Sequence, residues 1–347
     1  MKQFMWSTAS ILLFVSVAVS PALGNPYEST RVAFQKRYWE HADSIAAFAW
    51  DHYKDGADRE AGIAAANHAA LRAARGDIEG ARSWHETASE RLTKHGDEQL
   101  IGRLKIADAL VDFIDSRQYG NAEPDDAFEK LVEARKHLGS ETRVLDLVEA
   151  EMQLRSNEGE RAQTGYLTTM RLMSASEASG DSLTLARCAA SMARMEGSTG
   201  GHAPAERGYD RAFRIFRAAK LQRDSNIALR NVGLAQWKQG KLEDGRTTLE
   251  SVVVRADRSG DRLSGVLALN DLSMLLATSG DAVGAISYDR RAHDALRALA
   301  KSVADHGGLA EDLTQIYKMR YVGKPDYIVD LFGSFYSYLM ITQEVSP

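Results

Sequence analysis

The sequence predicts an all-α fold, a solenoid in which helical hairpins follow one another along the chain. Three observations lead to this prediction. The 347 residues include only six prolines, glycines recur about every 40 residues, and the apolar residues on either side of those glycines are spaced as on the faces of helices. A composition of 44% hydrophobic and 26% charged residues is ordinary for soluble domains with a buried core.

The glycines mark the predicted turn inside each hairpin. The segments ARGDIEGA at 74–81, KQGKLEDG at 238–245 and TSGDAVGA at 278–285 each have a glycine followed five places later by a small residue. Glycine can end a helix in the left-handed conformation, and a small residue lets two helices approach closely. The repeated glycines are Gly76, Gly120, Gly159, Gly200, Gly240 and Gly280. We therefore expect six or seven hairpins.

A second recurring motif falls between the predicted hairpins, as HGDEQL at 95, SGDSL at 179 and SGDRL at 259. Its middle copy resembles the motif of the GDSL serine esterases, with Ser182 in the place of the nucleophile. The next copy has Arg262 there, and no Asp-x-x-His segment of such an esterase is found near the end of the chain. We interpret Asp181 as a helix cap and Ser182 as a first-turn residue, and predict no catalytic site.

The first 24 residues have the pattern of a secretory signal peptide. Lys2 precedes an apolar run over 11–19, and the small residues Ala22 and Gly24 stand where a signal peptidase would cleave. We expect cleavage after Gly24 and a periplasmic or secreted protein with no transmembrane helix in the mature chain, because the run is shorter than the ~20 residues that span a bilayer. An uncleaved anchor is the alternative.

The stretches ALRNVGLAQWKQGKLEDG and ALNDLSMLLATSGDAVGA resemble tetratricopeptide repeats, in the longer form found in kinesin light chains and related groove-binding adaptors. The resemblance is clear over 182–305, recognisable over 60–95 and degenerate over 98–178. It implies a right-handed superhelix in which the first helix of each hairpin lines a concave groove.

The predicted array covers 58–305, and aromatic-rich segments flank it. We interpret 25–57 and 306–347 as capping helices, because a solenoid otherwise ends in an exposed apolar face. The alternative for the C-terminal aromatics is that they dock a partner or face a membrane.

In the groove-binding relatives, an asparagine before a Leu-Gly or Val-Gly pair holds the backbone of a bound peptide, and Asn231 in RNVG matches that position. The next repeat has Asp271 there. The candidate groove contacts are Arg194, Arg230, Asn231, Lys238 and Asn270. Their arginines would suit acidic or carboxylate-bearing peptides. The alternative is an ordinary solvated surface.

Other candidate chemistry is weak. His85 lacks the second histidine, one helical turn later, of a zinc motif, so we predict no metal or cofactor. Asp112 and Asp115 would share one helix face, which we expect to be solvated. Cys188 is expected in the core. A formal net charge of −5 disfavours a nucleic-acid partner.

These observations predict an exported, non-enzymatic scaffold that binds a protein or peptide partner in its groove, the partner being itself an exported or membrane protein. The alternative is the ligand-binding sensory ectodomain of an envelope signalling system. A repeat fold specifies a surface and leaves the ligand open.

Overall fold

The computed structural model describes residues 39–74, 78–118, 124–139, 142–156 and 158–305. Over these ranges the chain forms thirteen α-helices and no strand. The helices are α1 (Trp39–Tyr53), α2 (Asp58–Ala74), α3 (Ile78–His95), α4 (Glu98–Gln118), α5 (Pro124–Leu138), α6 (Arg143–Leu154), α7 (Gly159–Ser179), α8 (Ser182–Ser198), α9 (His202–Ala218), α10 (Gln222–Lys238), α11 (Leu242–Ser259), α12 (Arg262–Thr278) and α13 (Ala282–Asp305).

Helices α2 to α13 pair into six hairpins within the described ranges. Each even-numbered helix packs against the odd-numbered helix that follows it, and each hairpin packs against the next. The even-numbered helices, which we call the first helices, also contact one another along the array, as α6 does with α8 and α10 with α12. Helix α1 packs on α2. The predicted all-α solenoid of hairpins is confirmed.

Glycine closes the later hairpins as predicted. Gly200, Gly240 and Gly280 have φ angles of 91°, 80° and 88°, in the left-handed region that favours glycine. The prediction for Gly159 is wrong, because that residue is the first of α7 and has no positive φ. Helix α6 ends at Leu154, and the residue that follows it, Arg155, is in a right-handed conformation. Gly76 and Gly120 lie outside the described residues.

Small residues bring the two helices of a hairpin together. A Cβ atom at Gly245 would lie 2.9 Å from the carbonyl oxygen of Gly233 and 3.1 Å from the backbone nitrogen of Trp237. In the degenerate region Gly165 has the same role, because a Cβ there would lie 2.6 Å from the backbone nitrogen of Leu154. The close approach predicted for the regular repeats therefore extends into a region where the motif is not recognisable.

The turns between hairpins also follow a period near 40 residues. Left-handed glycines occur there at Gly96, Gly139, Gly180 and Gly260, and Lys220, with a φ of 60°, takes the same position between α9 and α10. The carboxylate of Asp181 accepts a hydrogen bond from the backbone nitrogen of Thr184 at 3.1 Å, and Ser182 is the first residue of α8. The predicted helix cap is confirmed, and Ser182 lies in a first turn.

The core is apolar and follows the stacked hairpins. Cys188 is fully buried in it, as expected, and burial raises the pKa of its thiol to about 12, which keeps it unreactive. None of the described helices is long and apolar enough to cross a membrane. The predicted signal peptide, its cleavage site at Gly24 and the C-terminal segment 306–347 lie outside the described residues.

The expectation of a solvated acidic face on α4 is wrong. Asp112 and Asp115 are 7% and 2% exposed, and Arg82 of α3 donates hydrogen bonds to both carboxylates, at 3.0 and 2.6 Å. Lys130 of α5 contacts Asp112 at 2.5 Å. Two neighbouring helices thus supply cations that make burial of these carboxylates tolerable. Local spacing on α4 could not reveal partners on other helices.

Candidate functional site

A cavity of about 40 Å³ opens between the first helices α6, α8 and α10, with α9 behind it. This volume is enough for a few water molecules or a small chemical group. The lining residues are Glu151, Arg187, Ala190, Ser191, Arg194, Tyr209, Phe216, Asp224, Ile227, Ala228 and Asn231. The cavity therefore combines an apolar and aromatic wall with two arginines, two carboxylates and one amide.

Glu151 is the buried acid of the cavity. Arg155 donates a hydrogen bond to its carboxylate at 2.6 Å, Ser191 donates another, and Arg194 of α8 lies 2.5 Å from it. Burial alone would raise the pKa of Glu151, but the charges of Arg194 and Arg155 outweigh burial and lower the pKa to about 2. Glu151 is therefore ionised at neutral pH and cannot act there as a proton donor.

Arg187 forms a second ion pair in the cavity wall. Its guanidinium is buried and lies 3.7 Å from the carboxylate of Asp224 on α10. The guanidinium also stands over the ring of Phe216, 5.6 Å from its centroid, at a distance typical of a cation–π contact. Arg187 and Arg194 face one cavity because they are seven residues, or two helical turns, apart on α8.

The five predicted groove residues lie in different surroundings and not in one site. Arg194 and Asn231 both line the cavity, where the Arg194 side chain is 30% exposed and Asn231 is half-buried. Lys238 is exposed, with its ammonium 5.2 Å from the centre of the Trp237 ring. The amide of Asn270 contacts the sulfur of Met274 on its own helix. Only Arg194 and Asn231 of the five are therefore brought together at this cavity.

Arg230 points into the array. Its side chain is 8% exposed and its guanidinium holds Asp271 of α12 through two hydrogen bonds, at 2.5 and 3.2 Å. The guanidinium expected to face the groove thus connects two consecutive first helices. That any of the five residues contacts a partner stays a prediction.

One position recurs on four consecutive first helices. It is occupied by Glu151, Ser191, Asn231 and Asp271, each 40 residues after the one before, and the first three line the cavity. The sequence showed the last two, because they belong to clear repeats. It did not show Glu151, which lies in the degenerate region, or Ser191, which is small and uncharged.

Metal chemistry has no visible basis in the described ranges. No group of three or more histidine, cysteine, aspartate or glutamate side chains there is placed to hold a metal ion. What the cavity offers is hydrogen bonding by an amide, charge from two arginines and contact with two aromatic rings. These are properties of a binding surface.

The hairpin geometry defines this chain as an all-α helical-repeat protein. No family model and no curated relative matches its sequence. Among solved structures it is similar to BtubC (BKLC) from P. vanneervenii, with 15% identity, a TM-score of 0.35, and coverage of 77% of this chain and 91% of that chain. It is also similar to a Rap protein complexed with competence and sporulation factor, with 13% identity, a TM-score of 0.41, and coverage of 88% and 75%.

Proposed function

We propose that this protein is an exported binding scaffold of the tetratricopeptide-repeat kind, close in repeat length to the kinesin-light-chain branch. It would hold an extended segment of a protein or peptide along the face formed by α6, α8 and α10. The observation that carries the proposal is the cavity on this face, where the partly exposed Arg194 and Asn231 stand beside an apolar and aromatic wall. No catalytic role is proposed.

The chemistry of the cavity suits an extended peptide. The amide of Asn231 has both donors and an acceptor, so it can pair with a peptide backbone. Arg194 can turn toward a carboxylate of the partner, because Arg155 and Ser191 still hold Glu151. The wall formed by Tyr209 and Phe216 can accept an apolar side chain.

The expected partner is therefore a peptide or protein segment with an acidic group beside an apolar one. A micromolar affinity, corresponding to about −8 kcal/mol, is the expected range for such a small site. The signal-peptide pattern of residues 1–24 supports export, so the partner would itself be an exported or membrane protein.

The test is capture of partners from the envelope fraction by tagged residues 25–347, beside an Arg194→Ala/Asn231→Ala variant. Arg230 is left intact, since its removal would break the buried pair with Asp271. Arg214→Ala is the matched control, because Arg214 lies on α9, outside the cavity lining, with a 76% exposed side chain. Thermal unfolding checks that all three proteins are folded.

The expected result is a partner held by the wild type and by Arg214→Ala, and lost by the double variant. An equal yield from all three proteins would mean that the partner does not use this cavity. If the wild type captures no protein but a small molecule raises its Tm, and the double variant loses that shift, the sensory-ectodomain alternative is supported instead. N-terminal sequencing of the exported chain should give Asn25 as its first residue.

A further inference from the structure

Three arginines lie near the C-terminal ends of α9 and α11, on the second helices of two consecutive hairpins. They are Arg217 on α9 and Arg255 and Arg258 on α11. Among the described residues, none of the three has a carboxylate partner within ion-pair distance. This stands out in a chain whose formal net charge is −5.

Neutral groups hold Arg255 in place. It donates hydrogen bonds to the hydroxyl of Ser225 at 2.7 Å and to the amide oxygen of Asn226 at 3.2 Å. Its guanidinium lies over the ring of Phe213, 5.3 Å from the centroid. These contacts use two of the five N–H donors of a guanidinium, so three remain in a fixed orientation.

Arg217 brings a second positive charge to the same place. Phe213 and Arg217 are four residues apart on α9 and share one helix face, and Arg255 lies over the ring of Phe213. Burial, and then the positive charge of Arg217, lower the pKa of Arg255. Arg258 is exposed one turn beyond Arg255. Two positive charges that act on each other in this way repel, and an anion bound between them would relieve the repulsion.

Two acidic residues of this region, Asp261 and Asp257, do not pair with the cluster. Asp261 is 2% exposed and lies behind Asn226, whose amide donates to it at 3.0 Å. Asp261 also caps α12 by accepting a hydrogen bond from the backbone nitrogen of Ser264 at 3.3 Å. Asp257 is two residues from Arg255, so it points away around the helix.

We propose that Arg217 and Arg255, with Arg258 beside them, form a binding site for a phosphate group. Guanidinium pairs in a bidentate manner with phosphate oxygens. A phosphate monoester carries about −1.5 to −2 charges at neutral pH, which matches two guanidiniums better than a single carboxylate does. Arg255 is the preorganised half of the site and Arg217 the exposed arm that closes on the anion.

This site is separate from the cavity of the proposed function. None of the three arginines, nor Ser225 or Asn226, belongs to the cavity lining. The phosphate site can therefore exist whether or not the first helices bind a peptide.

The first experiment is a titration of the purified chain with inorganic phosphate, followed by calorimetry and by Tm at constant ionic strength in chloride. Phosphate stabilises most proteins to some degree by exclusion from their surface, so variants are essential. Arg217→Ala should weaken binding by about tenfold, the loss of one bidentate partner. Arg207→Ala should not, since Arg207 is an exposed arginine ten residues earlier on α9.

A charge reversal makes the test independent of any loss of folding. In Arg217→Glu the new carboxylate should pair with Arg255, so that Tm in chloride rises while the phosphate-dependent shift disappears. Binding that does not saturate, or that is the same in the wild type, Arg217→Ala and Arg217→Glu, would overturn the proposal.

Vesicles distinguish two sources of the phosphate. Phosphatidylcholine vesicles with and without phosphatidic acid are sedimented with each protein. Sedimentation that needs phosphatidic acid and Arg217 supports the site and makes a lipid headgroup its ligand. Saturable binding of inorganic phosphate without sedimentation supports the site and makes a soluble phosphate compound its ligand.

Discussion

The ion pairs of helices α3 to α5 and those of helices α10 to α12 are arranged differently. In the first region, the carboxylates lie on the first helix α4, and the cations Arg82 and Lys130 reach them from the second helices α3 and α5. In the later region, both members of the pair lie on first helices, Arg230 on α10 and Asp271 on α12. The ion pair of the regular repeats thus joins two consecutive first helices directly.

The two arrangements also differ in solvent access. The side chains of Arg82 and Lys130 are 38% and 34% exposed, whereas Arg230 and Asp271 are each 8% exposed. A desolvated pair costs more when one partner is removed, because the remaining charge has little water to solvate it. Arg230, one of the predicted groove contacts, is therefore structural, and its loss should be read first as a loss of stability.

The largest expected effect is that of Arg230→Ala, which leaves Asp271 buried without its bidentate partner. We expect a loss of roughly 3–5 kcal/mol in the free energy of unfolding. Arg82→Ala should cost less, on the order of 1–2 kcal/mol, because the Arg82 side chain is 38% exposed, so that water can take its place beside Asp112 and Asp115, and because Lys130 remains on Asp112. Denaturant unfolding of the two variants and the wild type measures the difference.

A double variant separates charge from packing in the same comparison. Arg230→Met/Asp271→Leu removes both charges and should recover most of the loss, since an apolar pair of similar size can replace a buried ion pair. Equal losses for Arg230→Ala and Arg82→Ala would contradict the difference between the two regions.

The hairpins were predictable from the sequence because their signals are local. A left-handed glycine such as Gly240, a cap such as Asp181 and a small residue such as Gly245 each act within one hairpin or one turn. The ion pairs between hairpins were not predictable, because Arg82 and Asp115 are 33 residues apart and Arg230 and Asp271 are 41 residues apart. The candidate site was predicted only in part for the same reason. The sequence indicated Asn231 and Arg194 but not the buried Glu151 beside them.

The second expected effect is a loss of stability in acid, carried by two carboxylates with a lowered pKa, Glu151 on α6 and Asp108 on α4. The pKa of Glu151 falls from 4.5 to about 2 and that of Asp108 from 3.8 to about 2. Burial opposes both shifts. Arg194 and Arg155 outweigh it at Glu151, and His85 and Lys130 outweigh it at Asp108. A carboxylate with a depressed folded-state pKa stabilises the fold above its unfolded pKa and loses this contribution as pH falls.

The stability should therefore be constant above about pH 5 and fall between about pH 5 and pH 2, by on the order of 3 kcal/mol for Glu151 and 2 kcal/mol for Asp108. Denaturant unfolding at a series of pH values measures this slope. Glu151→Gln should flatten it more than Asp108→Asn, because the Glu151 side chain is 4% exposed and that of Asp108 29%. A larger effect of Asp108→Asn than of Glu151→Gln would contradict this ranking of the two carboxylates.

The smallest expected effect concerns the turns between hairpins, where Lys220 departs from the glycine pattern. Lys220 has a φ of 60°, while Gly180, 40 residues earlier, has a φ of 74°. The left-handed conformation costs a residue with a Cβ about 1–2 kcal/mol, and glycine adds entropy to the unfolded chain, which offsets part of any gain. Lys220→Gly should therefore stabilise the protein by about 0.5–1 kcal/mol, measured in chloride by denaturant unfolding.

Gly180→Lys should do the opposite, because a Cβ at Gly180 meets no atom within 4 Å and only the backbone conformation resists it. If both substitutions destabilise the protein, the Lys220 side chain itself stabilises the fold by more than its backbone conformation costs. The turn at Lys220 and the turn at Gly180 would then not be equivalent.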